Sequence, residues 1–219
     1  MKVLVACEFS GIVRDAFRVR GHDAWSCDLL PCDGDDTCHF EQDVSEILYD
    51  DCWELLIAHP PCTYLANSGV HCLHKDPKRW DKMIAAAVFF RMFLCTDIPH
   101  ICVENPVMHK YALEHIGEKH TQTIQPYQFG HPESKRTCLW LKNLPSLKPT
   151  KILSLPKKGH WENQCPGGQN KIGPSADRWK LRSVTYPGIA EAMAEQWTEE
   201  AIEKSEKDKM GLFPEENEK

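Results

Sequence analysis

Three short apolar runs, Val3-Leu4-Val5-Ala6, Leu55-Leu56-Ile57-Ala58 and Ile101-Cys102-Val103, constrain this chain more than any other feature. None alternates apolar with polar residues. Each therefore reads as a strand buried on both faces, as in a parallel sheet covered by helices. After the first run, Ile12, Val13, Ala16, Phe17 and Val19 fall largely on one helical face, and Gly21 ends that helix as a C-terminal cap would. Ala24-Trp25-Ser26-Cys27 reads as a second strand ending in Asp28, and Phe40 to Val44 as a third or its end. Asp81 to Cys95 is a helix, with Met83, Ala87, Phe90 and Leu94 on one face, nearly apolar enough to be buried. Tyr127 to Gly130 and Thr137 to Leu141 read as an antiparallel pair, and Gly188 to Trp197 as a last helix. The expected fold is α/β: a doubly wound, mostly parallel, Rossmann-like sheet with antiparallel strands late in the chain.

Residues 1–144 are expected to form the core, 145–180 a basic irregular insertion, 181–198 a returning core helix and 199–219 a charged tail, a frayed helix or disordered. The net charge of −6 hides a strong asymmetry. Residues 135–182 hold 11 Lys and Arg against only Glu162 and Asp177, with Trp140, Trp161 and Trp179 interspersed. A basic stretch with interleaved aromatics fits a phosphate-binding surface; a solvated lysine-rich loop is the plainer reading. Hydrophobic residues at 42% and charged ones at 26% are ordinary for a soluble domain. No run is long enough to span a membrane and the N-terminus lacks the form of a signal peptide, so a soluble, cytoplasmic protein is expected. In that compartment most of the 11 cysteines read as reduced core filler. Cys27, Cys32, Cys38 and His39, or His71, Cys72 and His74, lack the tight Cys-x2-Cys spacing of structural zinc, and no metal is expected.

The chemistry lies where the apolar runs stop. Leu55 to Ala58 leads into His59-Pro60-Pro61-Cys62-Thr63, and Ile101 to Val103 into Glu104-Asn105-Pro106. Two strand ends thus offer a thiol and a carboxyl group. A thiolate can add to the electron-poor carbon 6 of a pyrimidine while an acid steadies ring nitrogen 3, and carbon 5 then accepts an electrophilic methyl group. The first strand, the turn Phe9-Ser10-Gly11, the helix, the second strand and Asp28 form a nucleotide-binding layout, with Asp43 a second acid on the same edge. A single glycine does not make a diphosphate cradle; it fits a cofactor without phosphates, such as S-adenosylmethionine. The long loop from Thr63 to Trp80 reads as a lid.

These motifs, in this order, resemble the DNA cytosine-5 methyltransferases, and more closely their compact phage and prophage versions. The resemblance covers roughly residues 1–145 and 180–198. It implies Cys62 as nucleophile, Glu104 as the acid on the ring and Arg136 as a supporting cation in Phe129-Gly130-His131-Pro132-Glu133-Ser134-Lys135-Arg136. Phe9, Ser10, Gly11, Asp28, Asp43 and Pro60 would contact S-adenosylmethionine, with Ser183 to Pro187 closing that site. DNA is the implied partner, through residues 135–182, with no membrane and no obligate protein partner. The chain departs from the family at the second and third glycines of the turn. Lys135 and Thr137 also stand where two arginines are usual, and only about forty residues occupy the place of the recognition domain, few for a module that reads base edges. Two alternatives follow: a pyrimidine carbon-5 enzyme acting on RNA or a free nucleotide, and a catalytically silent nucleic-acid-binding or decoy protein. Amino-group methylation ranks low, because His59 replaces the Asn, Asp or Ser such enzymes use.

Overall fold

The computed structural model describes residues 1–50, 53–166, 170–173, 175, 178–198, 200, 202, 203 and 207. Most of the expected tail, 199–219, therefore lies outside the described residues, although Ile202 is buried in the core.

Among the described residues seven strands form one sheet: β1 (Lys2–Ala6), β2 (Asp23–Asp28), β3 (His39–Glu41), β4 (Leu55–Ala58), β5 (His100–Pro106), β6 (Gln122–Ile124) and β7 (Thr137–Lys142). The order is β3-β2-β1-β4-β5-β7-β6. β1 to β5 are parallel, and β7 runs antiparallel to both β5 and β6. The expected doubly wound, mostly parallel sheet is present.

Both faces are covered, which is why the strands read as unbroken apolar runs. Leu4, Ala6, Leu56, Ala58, Ile101 and Val103 pack against α2 (Lys78–Leu94) and α3 (Lys110–Ile116). Val3, Val5, Leu55, Ile57 and Cys102 point the other way, towards α1 (Ile12–Val19) and α5 (Pro187–Gln196). α4 (Arg178–Ser183) is a short helix between the basic insertion and α5. Val3, Leu55 and Ile57 are wholly buried. Truncating Leu55 or Ile57 to alanine costs about 2–5 kcal/mol.

The order of strands turns at β1, whose two neighbours are β2 and β4. Ala6 pairs with Ala58, and Ala58 with Val103, so β1 and β4 end level at Val103 of β5, which runs on through Glu104 to Pro106 against β7. The crevice outside such strand ends is where open α/β sheets place ligands.

Several elements differ from expectation. The partner of β7 is Gln122–Ile124, not Tyr127 to Gly130; the latter lies on a tight 3-10 turn, with Phe129 making an isolated bridge to Lys151. Phe129 is apolar because it plugs the core, not because it lies in a strand. α3 was not foreseen: its cap is His109, whose Nδ1 accepts from Ala112 N at 3.0 Å. On α2 the buried face runs through Met83, Ala87, Phe90 and Phe93, while Val88 is 63% exposed. The lid expected from Thr63 to Trp80 is shorter, because α2 begins at Lys78. Its first residues are also pinned, with Asn67 N donating to Val107 O and His109 N to Leu65 O.

Candidate active site

The turn after β1 is built by a carboxylate. Glu8 is buried, and it accepts from Val13 N at 2.7 Å and Arg14 N at 3.2 Å, both at the start of α1, as well as from Ser10 Oγ. The chain thus satisfies the orphan N–H groups of this helix with its own anion. Burial pushes the Glu8 carboxyl up, opposed by the charge of His59 and by these hydrogen bonds. Gly11 precedes the helix at φ +69°, and a Cβ there would stand 2.5 Å from Arg14 Nη2. Both the backbone angle and the close guanidinium call for glycine.

At the ends of β4 and β5 the thiol and the carboxyl share one cavity. Cys62, Glu104, Lys135 and Arg182 line it, with Phe9, Ser10 and Pro60 along the side facing β1. Asn105, buried in β5, donates from Nδ2 to the Pro60 carbonyl at 3.0 Å and so ties the turn bearing Cys62 to the strand bearing Glu104. Burial raises the Cys62 thiol, as does the charge of Glu104, while Lys135 and Arg182 oppose them. Burial also pushes Glu104 up, but the hydrogen bond from His59 and the charges of Lys135 and His59 outweigh it, leaving its carboxyl below the usual range. His59 Nδ1 donates to Glu104 Oε2 at 3.0 Å. Two buried polar atoms of cavity-lining residues, His59 Nε2 and Asn105 Oδ1, have no hydrogen-bond partner among the described residues.

Not every expected residue reaches the cavity. Arg136 is exposed; of this segment it is the neighbour, Lys135, that lines the cavity, together with Arg182. Lys135 Nζ donates to the Arg182 carbonyl at 2.7 Å, holding the end of α4 against the site. Asp28 is half-buried at the end of β2 and accepts from Leu30 N; Asp43 is exposed and accepts from Ser45 N and Oγ. Neither lines the cavity, but with burial both push up the Cys7 thiol, which places them beside the end of β1. Over the Phe9 turn lies α4: Trp179 meets the Phe9 ring edge-on at 6.3 Å, and Lys180 Nζ sits 5.1 Å above it and 2.7 Å from Asp33 Oδ1.

The basic insertion packs back onto residues 126–134. Tyr127 and Trp161 stack at 4.7 Å, and Asn163 exchanges hydrogen bonds with the backbone of Ser134. The segment before α5 is fixed by Gly188 N donating to His131 Nε2 and by Tyr186 donating to Glu133. A Cβ at Gly188 would fall 2.2 Å from the Phe129 carbonyl, so only glycine lets these two segments meet. Among the described residues no group of three metal-ligating side chains is assembled, and no helix is long and apolar enough to cross a membrane.

Fold and site together define a doubly wound α/β protein with a thiol–carboxylate cavity beside its switch point. Among solved structures it is similar to an E. coli protein described as a DNA modification methyltransferase encoded within a prophage, at 15% identity and a TM-score of 0.44, over 69% of this chain and 51% of that one. It is also similar to the Entamoeba histolytica methyltransferase EhMeth, at 16% identity and a TM-score of 0.41, over 69% of this chain and 57% of that one. The chain matches little more than half the length of either. No protein-family model and no curated protein sequence matches it.

Proposed function

We propose that this chain is an S-adenosylmethionine-dependent methyltransferase acting on carbon 5 of cytosine in DNA. The observation that carries the proposal is the meeting of Cys62 and Glu104 on one cavity, with two buried polar atoms of its lining residues that find no partner among the described residues. A buried polar atom without a partner costs about 1–3 kcal/mol, and a planar heterocycle with ring donors and acceptors would relieve that cost.

The residues present fit the cofactor. Phe9 and Ser10 line the cavity at the turn, Asp28 and Asp43 stand near the end of β1 for hydroxyl and amino groups, and the acidic lining of Glu8 and Glu104 suits a sulfonium cation. When bound, S-adenosylmethionine supplies an electrophilic methyl group. The protein's part is to orient and to hold charge. Cys62 attacks carbon 6 as thiolate, favoured by Lys135 and Arg182; Glu104 meets ring nitrogen 3; and the Asn105–Pro60 hydrogen bond sets the spacing between them. The basic residues of 135–182 meet the DNA backbone. A base taken from a duplex must be flipped to reach Cys62.

A second reading, methylation of a uracil ring in RNA or a free nucleotide, is favoured by the ionised state of Glu104. A carboxylate accepts from the N–H that uracil carries at nitrogen 3, whereas cytosine has none there. Transfer of labelled methyl groups to cytosine DNA, RNA and nucleotides separates the two. The proposal expects incorporation into cytosine DNA that Cys62→Ser abolishes; full transfer by that variant sinks it.

A further inference from the structure

An ionised Glu104 has nothing to donate to nitrogen 3 of cytosine, yet attack at carbon 6 drives electrons onto that nitrogen. The missing proton has one evident holder. His59 leaves the end of β4 with its ring 92% buried, as the 8% side-chain exposure records. Its Nδ1 lies 3.0 Å from Glu104 Oε2, and an ionised carboxylate only accepts, so that nitrogen carries hydrogen. Its Nε2 is buried on the cavity with no partner among the described residues.

We infer that His59 is a positioning residue for the ring chemistry: it and Glu104 share one proton, which the pair presents to the ring nitrogen of a bound cytosine. The inference rests on the pyrimidine reading above. Cys62 enters as thiolate, its proton released to water. As its sulfur bonds to carbon 6, ring electrons move onto nitrogen 3. That nitrogen takes, through Glu104, the Nδ1 proton of a doubly protonated His59, leaving a neutral His59 with its hydrogen on Nε2. Once carbon 5 has taken the methyl group and given up its own hydrogen to water, the sulfur leaves and the nitrogen 3 proton returns through Glu104 to His59.

The surroundings suit this. Glu104 faces His59 from β5, and Glu8 faces it from the turn after β1, close enough for the two to interact electrostatically. The opposing charges are Lys135, ahead of β7, and Arg182 on α4, both on the same cavity, with the Cys62 thiol beyond the two prolines. A purely structural role for His59 would need only the hydrogen bond to Glu104.

Asn at position 59 keeps an N–H near Nδ1 but cannot carry the proton, so His59→Asn separates the roles. A carboxylic acid alone gives up its proton about two pH units below an imidazole by reference values. Methyl transfer to cytosine DNA, followed from about pH 5.5 to 9.5, should therefore lose its alkaline limb by about one unit or more in His59→Asn, with kcat down about tenfold or more near pH 8. KM for DNA should stay within about threefold, because the pair acts on the transition state. Nitrogen-15 NMR of histidine-labelled protein, with His59 assigned through the same variant, should show Nδ1 protonated, and a changed signal in Glu104→Gln. A wild-type pH profile in His59→Asn overturns the inference, as does a His59 protonated only on Nε2, whatever the activity. If the wild-type protein transfers no methyl group while NMR shows the shared proton, the methyltransferase reading fails and the proton-sharing pair stands.

Discussion

Asn105 Nδ2 donates to the Pro60 carbonyl at 3.0 Å, across the ends of two adjacent parallel strands. This bond joins the two segments that carry the chemistry: Pro60 lies two residues before Cys62, and Asn105 directly follows Glu104. Together with the pairing of β4 and β5, one buried amide ties nucleophile and acid together. Asn105→Ala leaves a buried carbonyl unsatisfied and should cost about 1–3 kcal/mol in urea unfolding. Because misplacement of reacting groups is costly, methyl transfer should fall by about a hundredfold. Stability loss with unchanged turnover would show that the bond serves only the fold.

Cys62 is a raised thiol in the resting protein, through burial first and then the charge of Glu104. A group favoured in its neutral form ionises later as pH rises, so alkylation by iodoacetamide should stay slow at neutral pH and climb beyond the usual thiol range. Lys135→Met removes an opposing positive charge and should shift that climb further alkaline. Glu104→Gln removes the repelling charge and should shift it back. Mass spectrometry of the Cys62 peptide reads each case, and a Lys135→Met curve displaced to lower pH would contradict this electrostatic account.

Lys135 and Arg136 are neighbours with opposite placements: one lines the cavity and holds the Arg182 carbonyl, the other is exposed. Lys135→Met should therefore reduce methyl transfer by about tenfold or more, and by clearly more than Arg136→Met, since a charged hydrogen bond of this kind is worth about 1.5–3 kcal/mol. Parallel turnover measurements decide it. An equal or larger loss in Arg136→Met would return the supporting cation to the residue that the sequence motif names.

Gly11→Ala should be among the most damaging single changes in the turn. The left-handed backbone costs a residue with a Cβ about 1–2 kcal/mol before any contact is counted. The new Cβ would then press on Arg14 Nη2 from 2.5 Å. Thermal unfolding should show the loss, and calorimetry should show weakened S-adenosylmethionine binding, because Phe9 and Ser10 move with the turn.

The fold was legible wherever burial imposed a simple pattern. β4 and the central runs of β1 and β5 are apolar because helices cover both faces, and Ala6, Ala58 and Val103 lie level because parallel strands pair in register. β6 was hidden because Gln122-Thr123-Ile124 is a short edge strand with one buried side chain, while Tyr127 and Phe129 look like strand residues but fill a turn. α3 was hidden by an unusual cap, an imidazole in place of a hydroxyl or carboxylate. At the site, Cys62, Glu104 and the Phe9 turn could be read because each follows an apolar run. Lys135 and Arg182 could not be paired from sequence, being far apart in the chain and joined by a side-chain to backbone bond. The one available signal for Glu8 and His59 was an ionisable residue set directly against a buried strand, where it needs a partner.

The most direct measurement is covalent trapping. Cytosine DNA containing 5-fluorocytosine, incubated with the protein and S-adenosylmethionine, should give an adduct stable in denaturing gels, because fluorine on carbon 5 blocks release of the enzyme after attack at carbon 6. Peptide mapping should place the link on Cys62, and Cys62→Ser should give none. A protein that binds this DNA and cofactor yet forms no adduct, or forms one at another cysteine, would contradict the assignment of Cys62 as the nucleophile.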